Sequence, residues 1–219
     1  MRDDDAMDLT PTLTDLTGRI HALRPDPGER LIIGIVGAPG AGKSTLARAL
    51  TAALNDQAPG SAVQVPMDGF HLADVQLDRL GLRQVKGAPP TFDSDGYAVL
   101  LERLRGDRDR PVYAPDFERD LEQPLAGAVV VEPSVDIVVT EGNYLLLGSD
   151  AWPRTRAACH EVWFVGVDDD VRVQRLIGRH VQFGKSAHDA REWVMRNDEA
   201  NARLVIDSAI GADLQITMR

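Results

Sequence analysis

Residues Gly37-Ala-Pro-Gly40-Ala-Gly42-Lys43-Ser44 match the phosphate-binding pattern G-x-x-x-x-G-K-S/T at every fixed position. Leu31–Val36 ahead of them reads as a fully buried strand, and Thr45–Leu50 behind them has helical spacing. Strand, glycine-rich turn and helix in that order commit the chain to α/β layers. Glycines let the backbone curl until successive N–H groups face one concavity, and the helix N-terminus adds its partial positive charge. Gly37, Ala38, Pro39, Gly40, Ala41, Gly42, Lys43, Ser44 and Thr45 are therefore the expected nucleotide-binding residues. Lys43 is expected to bridge the β- and γ-phosphates of ATP and Ser44 to supply a hydroxyl to Mg²⁺, with Thr45 the lesser candidate.

The rest of the chain repeats the alternation of strand and helix. A helical pattern from about Leu9 to Leu23 follows an acidic start, residues 1–8, expected to be disordered. Strands are expected at Ala62–Met67, Val135–Thr140, Glu161–Val167 and Leu214–Met218, with Pro111–Phe117 and Ala128–Val131 as two arms of a hairpin. Helices are expected at about Leu72–Leu80, Ser94–Arg105, Asp169–Gln182 and Ser186–Asn201. This predicts a three-layer α/β/α fold with a mostly parallel central sheet covered on both faces. With 219 residues and no linker-like tract, one domain over 1–219 is expected.

Charge narrows the function classes. The 24 basic and 34 acidic side chains give a formal charge of −10, which repels nucleic acid and anionic membranes, so neither is an expected partner. No apolar run is long enough to span a bilayer, the start lacks a signal peptide's apolar core, and Cys159 stands alone. A cytoplasmic protein is expected. Only Lys43, Lys86 and Lys185 are lysines, and each falls in a segment that other grounds nominate for phosphate or substrate contact.

In a parallel α/β sheet, ligands bind beyond the carboxyl ends of the strands. Asp68 and Glu141 both sit there. Glu141 is the candidate Mg²⁺ carboxylate, the other reading being a cap on the next turn. Asp68 is the candidate base that orients an acceptor hydroxyl and takes its proton, the other reading being an Asp-Gly turn. Arg172, Arg175 and Arg179 lie within about 60° of one another on one helical face. They form either a solvated basic face or, over about 169–186, a lid that closes on the transferring phosphoryl group, with Gly178 and Gly184 as hinges and Lys185 as a further contact. His180 reads as a packing or capping residue.

Four further segments extend the pattern: Met67-Asp-Gly-Phe-His71, Lys86-Gly-Ala-Pro-Pro-Thr-Phe-Asp93, Val112-Tyr-Ala-Pro-Asp-Phe117 and Val139-Thr-Glu-Gly-Asn-Tyr144. In that order after the P-loop, they resemble the P-loop kinases of the uridine kinase, phosphoribulokinase and bacterial pantothenate kinase superfamily, including small uridine-kinase-like proteins labelled nucleoside or fructose kinases. The similarity covers roughly Ile33 to Asn201. It implies a P-loop NTPase fold with a helical lid, and ATP with Mg²⁺ as cofactors. It implies Asp68 at the acceptor hydroxyl, Glu141 at the metal, Arg175 and Arg179 in the lid, and His71, Lys86, Tyr113, Arg119 and Asn143 around the acceptor. The acceptor loop departs from the uridine kinase pattern after its tyrosine, and the extended carboxyl region of pantothenate kinase is absent.

The expected activity is ATP-dependent phosphorylation of a hydroxyl on a small metabolite: a nucleoside, a sugar or a pantothenate-like compound. The alternative is a P-loop switch whose ATP hydrolysis regulates a partner protein. The chain has neither a guanine-specificity Asn-Lys-x-Asp nor a transporter Leu-Ser-Gly-Gly segment. A homodimer is left open.

Overall fold

The computed structural model describes residues 12–23 and 25–218. The first half of the chain runs α1 (Leu13–Ala22), β1 (Leu31–Val36), α2 (Lys43–Gln57), β2 (Ala62–Pro66), α3 (Asp74–Leu80) and α4 (Ser94–Gly106). An antiparallel hairpin, β3 (Val112–Glu118) and β4 (Gln123–Val131), precedes β5 (Ile137–Gly142) and α5 (Trp152–Ala158). Next come β6 (Glu161–Gly166), α6 (Asp169–Gln182), α7 (Ala187–Trp193), a π turn at Val194–Asp198, α8 (Glu199–Asp207) and β7 (Leu214–Thr217). The helix expected from Leu9 begins at Leu13, where Thr12 and Asp15 form a reciprocal capping box. Residues 1–8, expected to be disordered, and 9–11 lie outside the described residues.

Five parallel strands form the sheet in the order β2-β5-β1-β6-β7. All six residues of β1 are buried, because a central parallel strand is covered on both faces. Its side chains alternate between two cores. Ile32 and Val36 pack with Tyr97, Leu101 and Trp152 of α4 and α5, whereas Ile33 and Ile35 pack with Leu16 and Ile20 of α1 and Leu46 and Leu50 of α2. The expected three layers are thus present.

Two features depart from the regular pattern. The β3 register shifts between Ala114 and Asp116. This bulge reverses which side chains face inward: Val112 and Ala114 are buried before it, and Phe117 turns toward the cleft after it. The helical run expected from Ser186 to Asn201 is split by the π turn and continues to Asp207. Helix α5, absent from the expected elements, starts with a proline in its first turn.

Candidate active site

Gly42 is the N-cap of α2 and has φ +96°, a left-handed conformation that suits glycine. No side chain caps this helix, so its first-turn N–H groups remain directed at the loop. Ala38 and Ala41 are buried. Lys43 is buried too, with Nζ 3.3 Å from the Ala38 carbonyl. Burial lowers the pKa of its ammonium against the pull of Glu141 and Asp68, and Arg179 and Arg119 lower it further. Thr45 is exposed, and it does not line the cleft described below.

Register brings the carboxylates to this loop. Glu141 lies opposite Ile35 of β1 on one side and Pro66 of β2 on the other, and Asp68 sits on the single turn Met67–Phe70 that follows β2. Ser44 Oγ donates to Glu141 Oε1 at 3.0 Å. Glu141 is only 4% exposed. Its burial, and next the Asp68 carboxylate, push its carboxyl up to about 7 against the opposing effects of Lys43, the Ser44 hydrogen bond and Arg119. Ser44 and Glu141 put two oxygen donors side by side next to a phosphate-binding loop, a pairing that suits a hard divalent cation such as Mg²⁺.

A cleft of about 420 Å³ joins the P-loop to a second chamber. Pro39, Gly40, Lys43 and Ser44 line one end; His71, Phe92, Phe117 and Asn143 line the other, with Asp68, Glu141 and Arg119 also on its wall. Arg119 Nη2 stands 3.6 Å from Asp68 Oδ2. Lys86 Nζ donates to Asp74 Oδ1 at 2.8 Å and to the Glu122 carbonyl at 2.5 Å, and lies 5.5 Å from the Phe117 ring centre. A neighbouring lobe of about 490 Å³ shares Ser44, Asp68, Arg119 and Glu141 and adds Arg48 and Gln64.

Tyr113 is not part of this arrangement. It is 64% exposed, and it lines neither lobe, because it precedes the bulge and faces away. From β3, Phe117 lines the cleft, and Asp116, Phe117 and Glu118 line the neighbouring lobe.

The arginines of α6 divide. Arg179 lines the cleft, and burial lowers its pKa, as does Arg119, while Asp198 and Asp68 counter. Arg175 Nη1 is 3.9 Å from the position a Cβ would take on Gly42, so its guanidinium reaches the P-loop. Arg172 is 2% exposed and bonds Asp169 Oδ1 at 3.0 Å and Glu199 Oε1 at 2.5 Å. It braces α6 behind the loop: its carbonyl lies 2.9 Å from where a Gly40 Cβ would stand. Lys185 lies over Trp193, with Nζ 4.9 Å from the ring centre, and His180 bonds Asp198 at 3.0 Å. Sequence reasoning missed Asp198, Trp193 and Arg83 as cleft residues. A π turn leaves little trace in composition, but Arg83 is three residues from Lys86 and could have been noted.

A Schizosaccharomyces pombe protein provisionally named a uridine kinase is 34% identical over 193 residues, covering 85% of this chain and 82% of its own length. The chain belongs to the uridine-kinase-like P-loop kinases. An Escherichia coli K12 relative in the same range, the uncharacterised protein YggC, is 31% identical over 88% of the chain and 80% of its own length. The crystal structure of a Silicibacter sp. TM1040 protein provisionally named a fructose transport system kinase superposes with a TM-score of 0.85. It is 37% identical, covering 94% of this uridine-kinase-like chain and 98% of its own. The family model of the methylmalonyl Co-A mutase-associated GTPase MeaB matches residues 14–82. That stretch holds the P-loop unit and α3 but neither the hairpin nor α6. Among the described residues, no helix of this kinase-fold chain is long and apolar enough to cross a membrane.

Proposed function

We propose that the chain transfers the γ-phosphoryl group of Mg-ATP to a hydroxyl of a small metabolite in the cytoplasm. The continuity of the cleft carries this reading: the P-loop end and a chamber of aromatic and polar side chains share one space, with Asp68 on its wall. A nucleotide switch needs no such second chamber.

In this reading Ser44 and Glu141 hold Mg²⁺, which neutralises charge on the β- and γ-phosphates when bound. Asp68 orients the acceptor hydroxyl and takes its proton as that oxygen bonds to the γ-phosphorus and the bridging oxygen leaves with ADP. Lys43, Arg175 and Arg179 stabilise the phosphoryl oxygens. Arg119, 3.6 Å from Asp68, faces the acceptor together with His71 and Asn143.

The test is ADP release from ATP and Mg²⁺ with and without a panel of hydroxylated metabolites. Phosphotransfer predicts turnover that depends on the acceptor and falls by about a hundredfold or more in Lys43→Ala with the fold intact. The MeaB match favours a second reading, a hydrolytic switch, which predicts equal nucleotide turnover without any acceptor.

A further inference from the structure

A chain of hydroxyls crosses the core directly behind the site. Tyr97 of α4 and Val65 of β2 belong to the apolar core on one face of the sheet, and Thr140 of β5 is buried between them. Tyr97 Oη and Thr140 Oγ1 lie 2.5 Å apart, and Thr140 Oγ1 stands 2.6 Å from the Val65 carbonyl oxygen. A carbonyl oxygen only accepts, so Thr140 donates to Val65 and Tyr97 donates to Thr140. Burial pushes the pKa of the phenol well up, which keeps it protonated as a donor.

Apolar residues would fill the same space. Phenylalanine and valine resemble Tyr97 and Thr140 in shape, and exchanging both partners of a buried hydrogen bond for apolar ones is close to neutral for stability. What the two hydroxyls add is direction, because they tie one strand to its neighbour at a defined height.

The strand so tied has the least other support. β2 lies at the edge of the sheet with β5 as its one strand neighbour among the described residues, whereas β5 is also paired with β1. Glu141 is therefore held from two sides, and Asp68, which follows β2, from one. Val65 stands opposite Thr140, and the next pair is Pro66 with Glu141, where proline has no N–H to give to the ladder. The hydroxyl tie thus falls on the last pair before the proline, three residues ahead of Asp68. Beyond the strand, the Tyr97 ring centre is 5.0 Å from that of Phe70, the last residue of the Asp68 turn. One side chain of α4 supports both the strand end and the turn.

We propose that Tyr97 and Thr140 are positioning residues for phosphoryl transfer, whose hydroxyls hold the end of β2 at one height on β5 and so place the Asp68 carboxylate relative to Glu141 and Lys43. The inference rests on the phosphotransfer reading above. Both residues act through Asp68 and lie outside the cleft lining. A reacting group misplaced by about 1 Å can cost roughly a hundredfold in rate, so a loose strand end is felt in kcat.

Four variants test this: Tyr97→Phe, Thr140→Val, the two combined, and Thr140→Ser. Thr140→Val strands the phenol donor in the core and is expected to melt lowest, while the combined variant has no stranded donor and is expected to regain much of that loss. The rate is expected not to follow. With ATP, Mg²⁺ and whichever of uridine, D-fructose, D-glycerate or pantothenate the wild type phosphorylates, kcat should fall about tenfold or more in both. The KM for ATP and the Mg²⁺ concentration for half-maximal rate should stay within about twofold, because the P-loop and Glu141 are anchored on β1. Thr140→Ser keeps the hydroxyl and should retain kcat within about threefold. Crystal structures should show the Asp68 carboxylate of Thr140→Val displaced from Lys43 by about 0.5 Å or more, with Glu141 in place.

An unmoved Asp68 in Thr140→Val overturns the inference whatever the rates. So does a kcat that recovers with the melting temperature in the combined variant, which would mark stability alone, or a loss in Thr140→Ser equal to that in Thr140→Val. If Thr140→Val does not fold, the combined variant carries the same measurements. ADP release by the wild type that ignores every acceptor would overturn phosphotransfer itself, and the position of Asp68 in the variant structures would still decide the role of the hydroxyls.

Discussion

Ser44 Oγ donates a 3.0 Å hydrogen bond to Glu141 Oε1, joining the first turn of α2 to the end of β5. This contact links two oxygens that suit one divalent cation, and its acceptor is a carboxyl pushed up to about 7, mainly by burial. The sign of the resulting pH dependence follows from linkage. A carboxyl with a raised pKa holds a proton in the folded state that the unfolded chain has released, so its contribution to stability is full below about pH 4.5 and is lost as the pH rises through about 7. Relative to Glu141→Gln, the wild-type protein should lose stability across that window. Mg²⁺ should restore it at pH 8 and not at pH 5.5, because only the carboxylate binds the metal. Denaturation with and without MgCl₂ measures this, and parallel pH profiles for the two proteins would contradict it.

Asp68 and Arg119 form the second pair to separate. If Asp68 takes the acceptor's proton, Asp68→Asn should lower kcat by roughly 10²–10⁴-fold with the KM for ATP little changed, since the amide keeps the shape without the basicity. Arg119→Ala should act mainly on the acceptor's KM. Steady-state kinetics with both substrates varied checks this, and a loss confined to the KM for ATP in Asp68→Asn would remove it from the base role.

The arginines of α6 should part company under mutation. Arg172 is buried against Glu199 and the back of the P-loop, so Arg172→Met should cost roughly 2–3 kcal/mol of stability by leaving Glu199 without its partner. Arg179 lines the cleft, so Arg179→Lys should lower kcat by roughly tenfold at an unchanged melting temperature, because a point charge does not reproduce the guanidinium fork. Thermal melts and kinetics on the same two preparations decide it; swapped effects would mean that the roles are reversed.

Much of this arrangement is legible in the amino-acid order, and the parts that are not have physical reasons. The P-loop, Asp68 and Glu141 could be placed because each follows a run of buried-strand residues, and sheet geometry then fixes where a strand end points. Tyr113 was expected at the acceptor from the family resemblance, and straight alternation through Val112-Tyr-Ala-Pro-Asp-Phe117 gives no sign of the bulge that leaves it facing outward while Phe117 faces inward. The second hairpin arm starts at Gln123, ahead of the expected Ala128, since Pro124 and Gly127 argue against a strand interior but are tolerated in an isolated two-stranded ribbon. Arg172 shares a helical face with Arg175, and periodicity alone cannot show that one of them is covered by α8. Asp198 enters the cleft from a π turn, which interrupts a helical pattern that reads as continuous.

Gly69 offers a test of how the hairpin is seated on the Asp68 turn. A Cβ at this position would stand 2.4 Å from the Pro115 carbonyl oxygen, 2.6 Å from its carbon and 3.0 Å from the Asp116 nitrogen. All three are backbone atoms at the β3 bulge, so no side-chain rotation relieves the clash and the hairpin must move as a body. Arg119 and Phe117 would move with it, away from Asp68 and His71. Gly69→Ala should therefore cost about 1–3 kcal/mol of stability. It should also lower kcat/KM for the acceptor much more than for ATP, because the P-loop is anchored on β1 and α2 and does not ride on this contact. Gly166→Ala serves as the control: its Cβ would meet nothing closer than Phe164 at 3.5 Å, an ordinary packing distance. Kinetics of the two variants, each checked for folding by circular dichroism, settle the matter. Equal losses toward ATP and acceptor in Gly69→Ala would show that the hairpin seat governs the whole site rather than its acceptor side.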